Sequence, residues 1–337
     1  MNLIIIVPII VSFLISLMLI PFWIRKAQQI KLVWKDMNKS YNQMIAGSGG
    51  IIVLLAFLIS VLIYVALSTF YFKRIDNLIE ILAILLTVMF VGGVGLIDDL
   101  LGWQRGGLSK RSRIILVIVA AIPLMAIKAG NSLVNMPFIG NVELGWIYPL
   151  LLVPIGIVGA TTTFNFLAGF NGLEAGQGIL LLVGASIVSY FMGNVWLTII
   201  LVCMIFALLA FLMFNWYPAR IFPGDVLTYP VGALFAVSAI IGNFEKIALF
   251  FFIPFILEFI FKSRGKLIKS SFGVPKKNGC LELKDSKIYG MTHLAIWTLN
   301  KMGFDATEKK VVCLVLAFQA FIILLGLIIF RQGIFYV

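Results

Sequence analysis

Asp98 and Asp99 stand side by side in the stretch FVGGVGLIDDLLGWQRGGLSKRSR, at the mouth of a long apolar run. Two adjacent carboxylates close to a low-dielectric medium are costly unless a cation or a proton compensates them. A divalent metal, Lys110, Arg111 or Arg113 could supply that charge. The plainer reading is a helix end that faces water beside basic partners. Acids are unfavourable at a helix C-terminus, however, which weights the pair toward function.

Three further clusters have the same character. TTTFNFLAGFNGLEAGQG, residues 161–178, interrupts two apolar runs with Asn165, Asn171, Glu174 and Gln177 among four glycines. The asparagines can offer a carbonyl to a metal or an amide to a phosphate. Glu174 can cap the following helix, or bind a base or metal. In NWYPARIFPGDVLTYPVGA, Asp225 directly precedes an apolar run. It suits a helix N-cap and equally a metal ligand held by the Pro223–Gly224 turn. Arg220 suits a phosphate or headgroup. The last cluster, within 262–308, is lysine-rich: Lys276, Lys277 and Asn278 suit a polyanion, or else anionic lipid. His293 is the chain's single histidine. It is an acid–base candidate, although a lone helix histidine is more often structural, and one histidine excludes a multi-histidine metal site.

Carboxylates, asparagines and many cations together suit a reaction between a nucleotide-linked substrate and a membrane phosphate. A divalent ion neutralises pyrophosphate oxygens and polarises the phosphorus. Positive side chains stabilise the leaving phosphate. There is no P-loop and no strand-led GxGxxG, so loops at helix ends would have to hold a nucleotide.

The elements that must position these residues are membrane helices. Of 337 residues, 62% are hydrophobic and 12% charged, which excludes a disordered chain and argues against an ordinary cytosolic domain. The apolar runs are long enough to cross a bilayer at about 20 residues each. The fold expected is an all-α polytopic integral membrane protein forming one transmembrane catalytic domain over 1–337. About ten crossings are expected, over 3–24, 45–69, 78–97, 111–128, 147–164, 177–192, 195–214, 226–242, 246–261 and 309–330. The segment 282–300 is the main source of a different count. Residues 129–146 read as a small hairpin broken at Pro137 and Gly140, and the Lys284–Asp285–Ser286 turn suggests another within CLELKDSKI. The three cysteines lack metal-ligand spacing.

The net charge of +12 reads as loop asymmetry rather than as a nucleic-acid footprint. With the N-terminus outside, every Lys and Arg except Lys73, Arg74, Lys128, Lys246 and Arg331 falls on the inside. The positive-inside rule then predicts a cell-membrane protein with both termini outside and all four polar clusters at the cytoplasmic face. Residues 262–308 become a long cytoplasmic loop.

FNGLEAGQG followed by NWYPARIFPGD resembles the polyprenyl-phosphate sugar-1-phosphate transferases. This family includes eukaryotic dolichyl-phosphate N-acetylglucosamine-1-phosphotransferase and bacterial phospho-MurNAc-pentapeptide translocase, and the motif style is nearer the eukaryotic and archaeal members. The resemblance implies ten transmembrane helices and cytoplasmic active-site loops. It implies transfer of a sugar 1-phosphate, N-acetylglucosamine 1-phosphate first among them, from a UDP-sugar to dolichyl or polyprenyl phosphate, with UMP released and Mg2+ (alternatively Mn2+) required. That reaction would begin N-glycan lipid-linked oligosaccharide assembly. Carried onto this chain, it makes Asp98, Asp99 and Lys110 catalytic, with Arg111 the rival to Lys110. It makes Asn171 and Asp225 the metal ligands. Asn165, Glu174, Arg220, Lys276, Lys277, Asn278 and His293 would contact substrate, the long loop reaching the donor sugar and pyrophosphate. Membrane lipid is an implied partner, nucleic acid is not, and a homodimer is compatible.

The chain lacks the bacterial enzyme's histidine-rich loop, and Pro275–Asn278 stands where the eukaryotic one has arginine–histidine–arginine. That opens the alternative of the same chemistry with another UDP-sugar for a cell-surface polymer. A lipid or solute transporter is the reading from another class; it predicts polar groups at mid-membrane and on both faces.

Overall fold

The computed structural model describes residues 3–73, 76–136, 140–276, 279–284 and 287–335. The apolar runs fold as helices because a helix satisfies its own backbone hydrogen bonds where lipid offers no partner. In chain order, α1 (Ile6–Gln29) leads into a short hairpin, β1 (Val33–Lys35) and β2 (Met44–Ala46), and then α2 (Gly50–Ala66). After α3 (Leu78–Arg105) come α4 (Lys110–Ala120) and α5 (Ile122–Ala126), then the strands β3 (Leu133–Met136) and β4 (Gly140–Glu143). The helices α6 (Val153–Phe166), α7 (Leu173–Phe191), α8 (Val195–Asn215) and α9 (Asp225–Gly242) form the body of the bundle. The chain closes with α10 (Glu245–Phe251), α11 (Ile253–Arg264), β5 (Val274–Pro275), β6 (Leu281–Glu282), α12 (Met291–Lys301), α13 (Glu308–Ile329) and α14 (Arg331–Phe335).

Among the described residues, eight helices are long and apolar enough to cross a membrane. The expected crossings over 111–128 and 246–261 are each divided. The first is α4 and α5, broken at Ala121, and the second is α10 and α11, broken at Phe252. Pro123 and Pro254 sit at the second residue of each following piece, where a missing N–H is tolerated but cannot continue the preceding helix. Within 282–300 lies α12, which at about 1.5 Å per residue is too short to cross.

The core is built around α9, in which every residue from Val226 to Ile240 is buried. Small residues let its neighbours approach. A Cβ on Gly95 of α3 would collide with the Asp225 carbonyl, and one on Gly232 would stand 2.8 Å from the Ala160 oxygen of α6. Such backbone approach is how membrane helices gain packing without a hydrophobic drive between them.

The hairpin expected near 129–146 is present as β3 paired antiparallel with β4; Pro137 lies outside the described residues. The one expected around Lys284–Ser286 pairs differently. Val274 lies opposite Glu282 and Pro275 opposite Leu281, so its turn is upstream, while Asp285 and Ser286 lie outside the described residues. The β1–β2 hairpin was not foreseen. It is sewn to the segment before α9: Phe222 N–H donates to Ala46 O (2.7 Å), and Gly49 and Gly50 N–H donate to Phe222 O and Pro223 O, both at 2.9 Å.

Candidate functional site

One end of the bundle gathers the C-terminus of α3, the N-terminus of α9, the α6–α7 loop and the β1–β2 hairpin around a cavity of about 440 Å³. Asp98, Asp99, Asn165, Glu174 and Asp225 all line it. These are five of the residues singled out from sequence, drawn from three separate motifs.

Adjacent residues on a helix point about 100° apart, and the Asp98–Asp99 pair divides its work accordingly. Asp99 faces α9, whose first amides it caps: Asp225 N–H donates to Oδ1 (2.7 Å) and Val226 N–H to Oδ2 (3.3 Å). Asp225 is therefore the first residue of α9 and not its own cap. The cap comes from another helix, satisfying donors that have no partner within α9. Gly224 makes room for it: φ is +73°, and a Cβ there would collide with Asp99 Oδ2.

Asp98 faces the turn after α3. Its Oδ1 accepts from Leu108 N–H (2.6 Å) and Arg113 Nη2 (3.1 Å), and Arg113 Nε lies 2.7 Å from Oδ2. The chain returns to reach it through Gly106 and Gly107, and Ser109 then caps α4 by accepting from Ser112 N–H at 3.1 Å. The Asp225 carboxyl sits against Asp98, with Asp99 and Arg113 in the same electrostatic neighbourhood. Of the three carboxylates, Asp98 is the one that pairs with the Arg113 guanidinium. Across the cavity, Asn165 Oδ1 accepts from Thr228 Oγ1 (3.0 Å), one turn along α9 from Asp225. Glu174 Oε1 accepts from Gly169 N–H (2.7 Å), while Oε2 is buried with no hydrogen-bond partner among the described residues.

Behind the α6–α7 loop lies a second polar group, which meets the cavity through Asp36. Asn171 Nδ2 donates to Asp36 Oδ2 (3.1 Å), and Asn171 N–H to Glu308 Oε1 (2.9 Å). Lys39 forms a short ion pair with Glu308, lies 3.7 Å from Asp36 and sits over the Tyr217 ring at 3.8 Å. Burial alone would lower the Lys39 pKa; the hydrogen bond and charge of Glu308, then Asp36, outweigh it and hold it above the ordinary lysine value. Asn38 Nδ2 donates to Gly169 O (2.8 Å), and Asn215 Oδ1 accepts from Gly172 N–H (3.2 Å). Asp36, Asn38, Lys39, Asn171, Asn215 and Glu308 are all buried.

The other sequence candidates fall elsewhere. Asn171 does not line the cavity, and its amide is committed to Asp36. Lys110 and Arg111 are exposed on the first turn of α4; the cation that reaches the aspartate pair is Arg113. Arg220 is exposed, with its guanidinium 4.8 Å from the Phe214 ring centre. Lys276 is exposed and paired with Glu282. His293 is fully buried behind the cavity wall, its Nε2 3.2 Å from Phe272 O. Lys277 and Asn278 lie outside the described residues. Sequence reasoning missed Asp36, Asn38, Lys39 and Glu308. The Asp36–Met37–Asn38–Lys39 run was the available signal, a carboxylate and an amide inside what otherwise reads as a plain basic loop.

A helical membrane protein with an acid-rich cavity at one end of the bundle fits a class already known. Residues 81–243 match the sequence profile of glycosyl transferase family 4. A putative UDP-N-acetylglucosamine–dolichyl-phosphate N-acetylglucosaminephosphotransferase of Saccharolobus solfataricus is 32% identical over 332 residues, covering 96% of each chain. The Dictyostelium discoideum protein of that name is 30% identical over 286 residues, 74% of this chain and 69% of that one. A phospho-N-acetylmuramoyl-pentapeptide-transferase of Streptococcus agalactiae is 26% identical over 320 residues, 90% of this chain and 91% of that one. The chain belongs to glycosyl transferase family 4.

Proposed function

We propose that the protein transfers a sugar 1-phosphate, foremost N-acetylglucosamine 1-phosphate, from a UDP-sugar to dolichyl or polyprenyl phosphate, releasing UMP. The observation that carries this reading is the cavity on which Asp98, Asp99 and Asp225 converge, with Arg113 paired to Asp98. Like charges crowded beside a membrane call for a cation, and a nucleotide pyrophosphate brings one. The names of the archaeal and amoebal relatives supply the substrates.

Among the described residues, no three His, Cys, Asp or Glu side chains form a ready-made metal cluster. Magnesium asks for less: one or two carboxylates, with substrate phosphates and water completing the shell. Asp225 and Asp98 fit as the carboxylates, and Asn165 as a neutral oxygen facing them from α6. Asn165 replaces Asn171 in this role because it lines the cavity and Asn171 does not. Asp99 is spent on the α9 amides. Bound there, magnesium would neutralise the pyrophosphate and polarise the phosphorus under attack.

The remaining work belongs to the chain. An acceptor phosphate oxygen attacks the β-phosphorus of the UDP-sugar; the new P–O bond forms as the bridging P–O bond to UMP breaks, and the electron pair leaves on UMP. The nucleophile is already an oxyanion near neutral pH, so the residues need only hold the two phosphates in line. Arg113 stands where negative charge on the leaving phosphate can be met. On the topology expected from sequence, all the Lys and Arg except Lys73, Arg74, Lys128, Lys246 and Arg331 fall on the side that carries the polar clusters, so we orient the site toward the cytoplasm.

Purified protein, incubated with a panel of UDP-sugars, should release UMP only when both lipid phosphate and magnesium are present, with EDTA abolishing release. Folded protein that yields no UMP from any donor would overturn the reading and favour a transporter.

A further inference from the structure

Phe272 is the sole described residue of 265–289 that lines the cavity. Its ring packs against Gly169, whose φ of +101° and missing Cβ make the contact feasible, since a Cβ there would collide with the ring. Gly169 is itself held at both ends of its backbone, its N–H by Glu174 and its carbonyl by Asn38. The Phe272 side of the contact sits in a long loop and needs an anchor of its own.

That anchor is the N-terminus of α12. Thr292 Oγ1 donates to Ser271 O (2.8 Å), and His293 Nε2 lies 3.2 Å from Phe272 O, an acceptor that requires an N–H. On the other side, α11 contributes Lys262, whose Nζ donates to Ser271 Oγ (2.8 Å) and lies 3.6 Å from Glu258. Glu258 closes the circuit by accepting from Met291 N–H at 2.6 Å, which docks α12 onto α11. The junction is tight: a Cβ on Gly290 would stand 2.7 Å from Ser271 Cβ and 2.9 Å from Glu258 Oε1. Glu258, Thr292 and His293 are all buried, and none lines the cavity. Buried polar groups joined in one circuit fix a unique arrangement, and removing one donor leaves an acceptor unsatisfied.

We infer that Glu258, Thr292 and His293 are positioning residues, a clamp between α11 and α12 that holds the Phe272 ring against Gly169 and so fixes one wall of the donor cavity. None touches a reacting group. Their effect passes through the Ser271–Phe272 backbone. Only the kinetic consequence rests on the proposed transferase function; the clamp itself is a statement about residues 265–276.

Thr292→Val tests it, because valine matches the shape and lacks the donor, while Thr292→Ser restores the hydroxyl. In the full-length protein in detergent, amide hydrogen exchange over 265–276 should quicken about tenfold in Thr292→Val and return to normal in Thr292→Ser. Exchange in α7 and α9 should not change. With UDP-sugar and lipid phosphate, the Thr292→Val KM for the donor should rise about tenfold with kcat within about twofold, again rescued by serine. Unchanged exchange in Thr292→Val overturns the clamp, as does a serine variant as loose as the valine one. Faster exchange with an unchanged donor KM overturns its role in the site. A wild type that turns over no donor would overturn the transferase reading instead, and the exchange comparison would still decide the clamp.

Discussion

Two groups of carboxylates flank the α6–α7 loop, and they are built on opposite principles. Behind the loop, Asp36 and Glu308 are matched by Lys39, by the Asn171 side chain and by backbone amides, and of these side chains only Asp36 reaches the cavity. In front of it, Asp98, Asp99 and Asp225 line an open cavity with one guanidinium among them. Composition alone would not separate the two. A charge-balanced network needs nothing further and fixes the loop in place. One with excess negative charge needs a cation, and a protein retains that cost where a ligand brings it.

The sharpest way to break the comparison is to unbalance the closed side. Lys39→Met leaves Glu308 buried without its cation, which costs about 3–5 kcal/mol, comparable to much of a domain's net stability. The expected result is a large fall in thermal midpoint and in yield of monodisperse protein. Lys39→Met with Glu308→Gln removes both charges while leaving an oxygen for the Asn171 N–H, and it should recover a good part of the loss. A double variant no better than the single one would mean that the network is not charge-balanced as drawn.

The open side should respond the other way. Asp225→Asn keeps the size of the side chain and relieves repulsion with Asp98, so the fold should be unharmed or slightly firmer. Turnover should drop about 10²- to 10³-fold, as when one preorganised electrostatic partner of a transition state is removed. Measuring melting and UMP release on the same preparation separates the two effects. Full activity with a wild-type melting profile would remove Asp225 from the chemistry.

What could be read from the sequence followed the same division. Asp98, Asp99 and Asp225 announce themselves because a carboxylate beside an apolar run is conspicuous, and FNGLE marks the loop between the two groups. The closed network is invisible in one dimension. Its Lys39–Glu308 pair joins residues 269 apart, and Lys39 by itself reads as one more loop cation. Its charge adds to the loop asymmetry although it is buried in an ion pair. The crossings at 111–128 and 246–261 fail as continuous helices for another reason: hydropathy measures how apolar a window is and is blind to a break in the backbone. The residues around Asp225 suit a cap and a ligand equally, and the cap of α9 is Asp99, more than a hundred residues upstream, which no local pattern announces.

The smallest expected effect decides which cation belongs to the open group. Sequence favoured Lys110, yet Lys110 is exposed while Arg113 meets Asp98 through both Nη2 and Nε. A two-pronged contact of this kind depends on the planar fork that only arginine has. Arg113→Lys should therefore lower kcat/KM about tenfold or more despite keeping the charge. Lys110→Ala should stay within about twofold, because an exposed charge in water is screened. If the order is reversed, Lys110 must swing into the cavity when the donor binds, and the open group would be completed by a residue that stands outside the cavity in this structure.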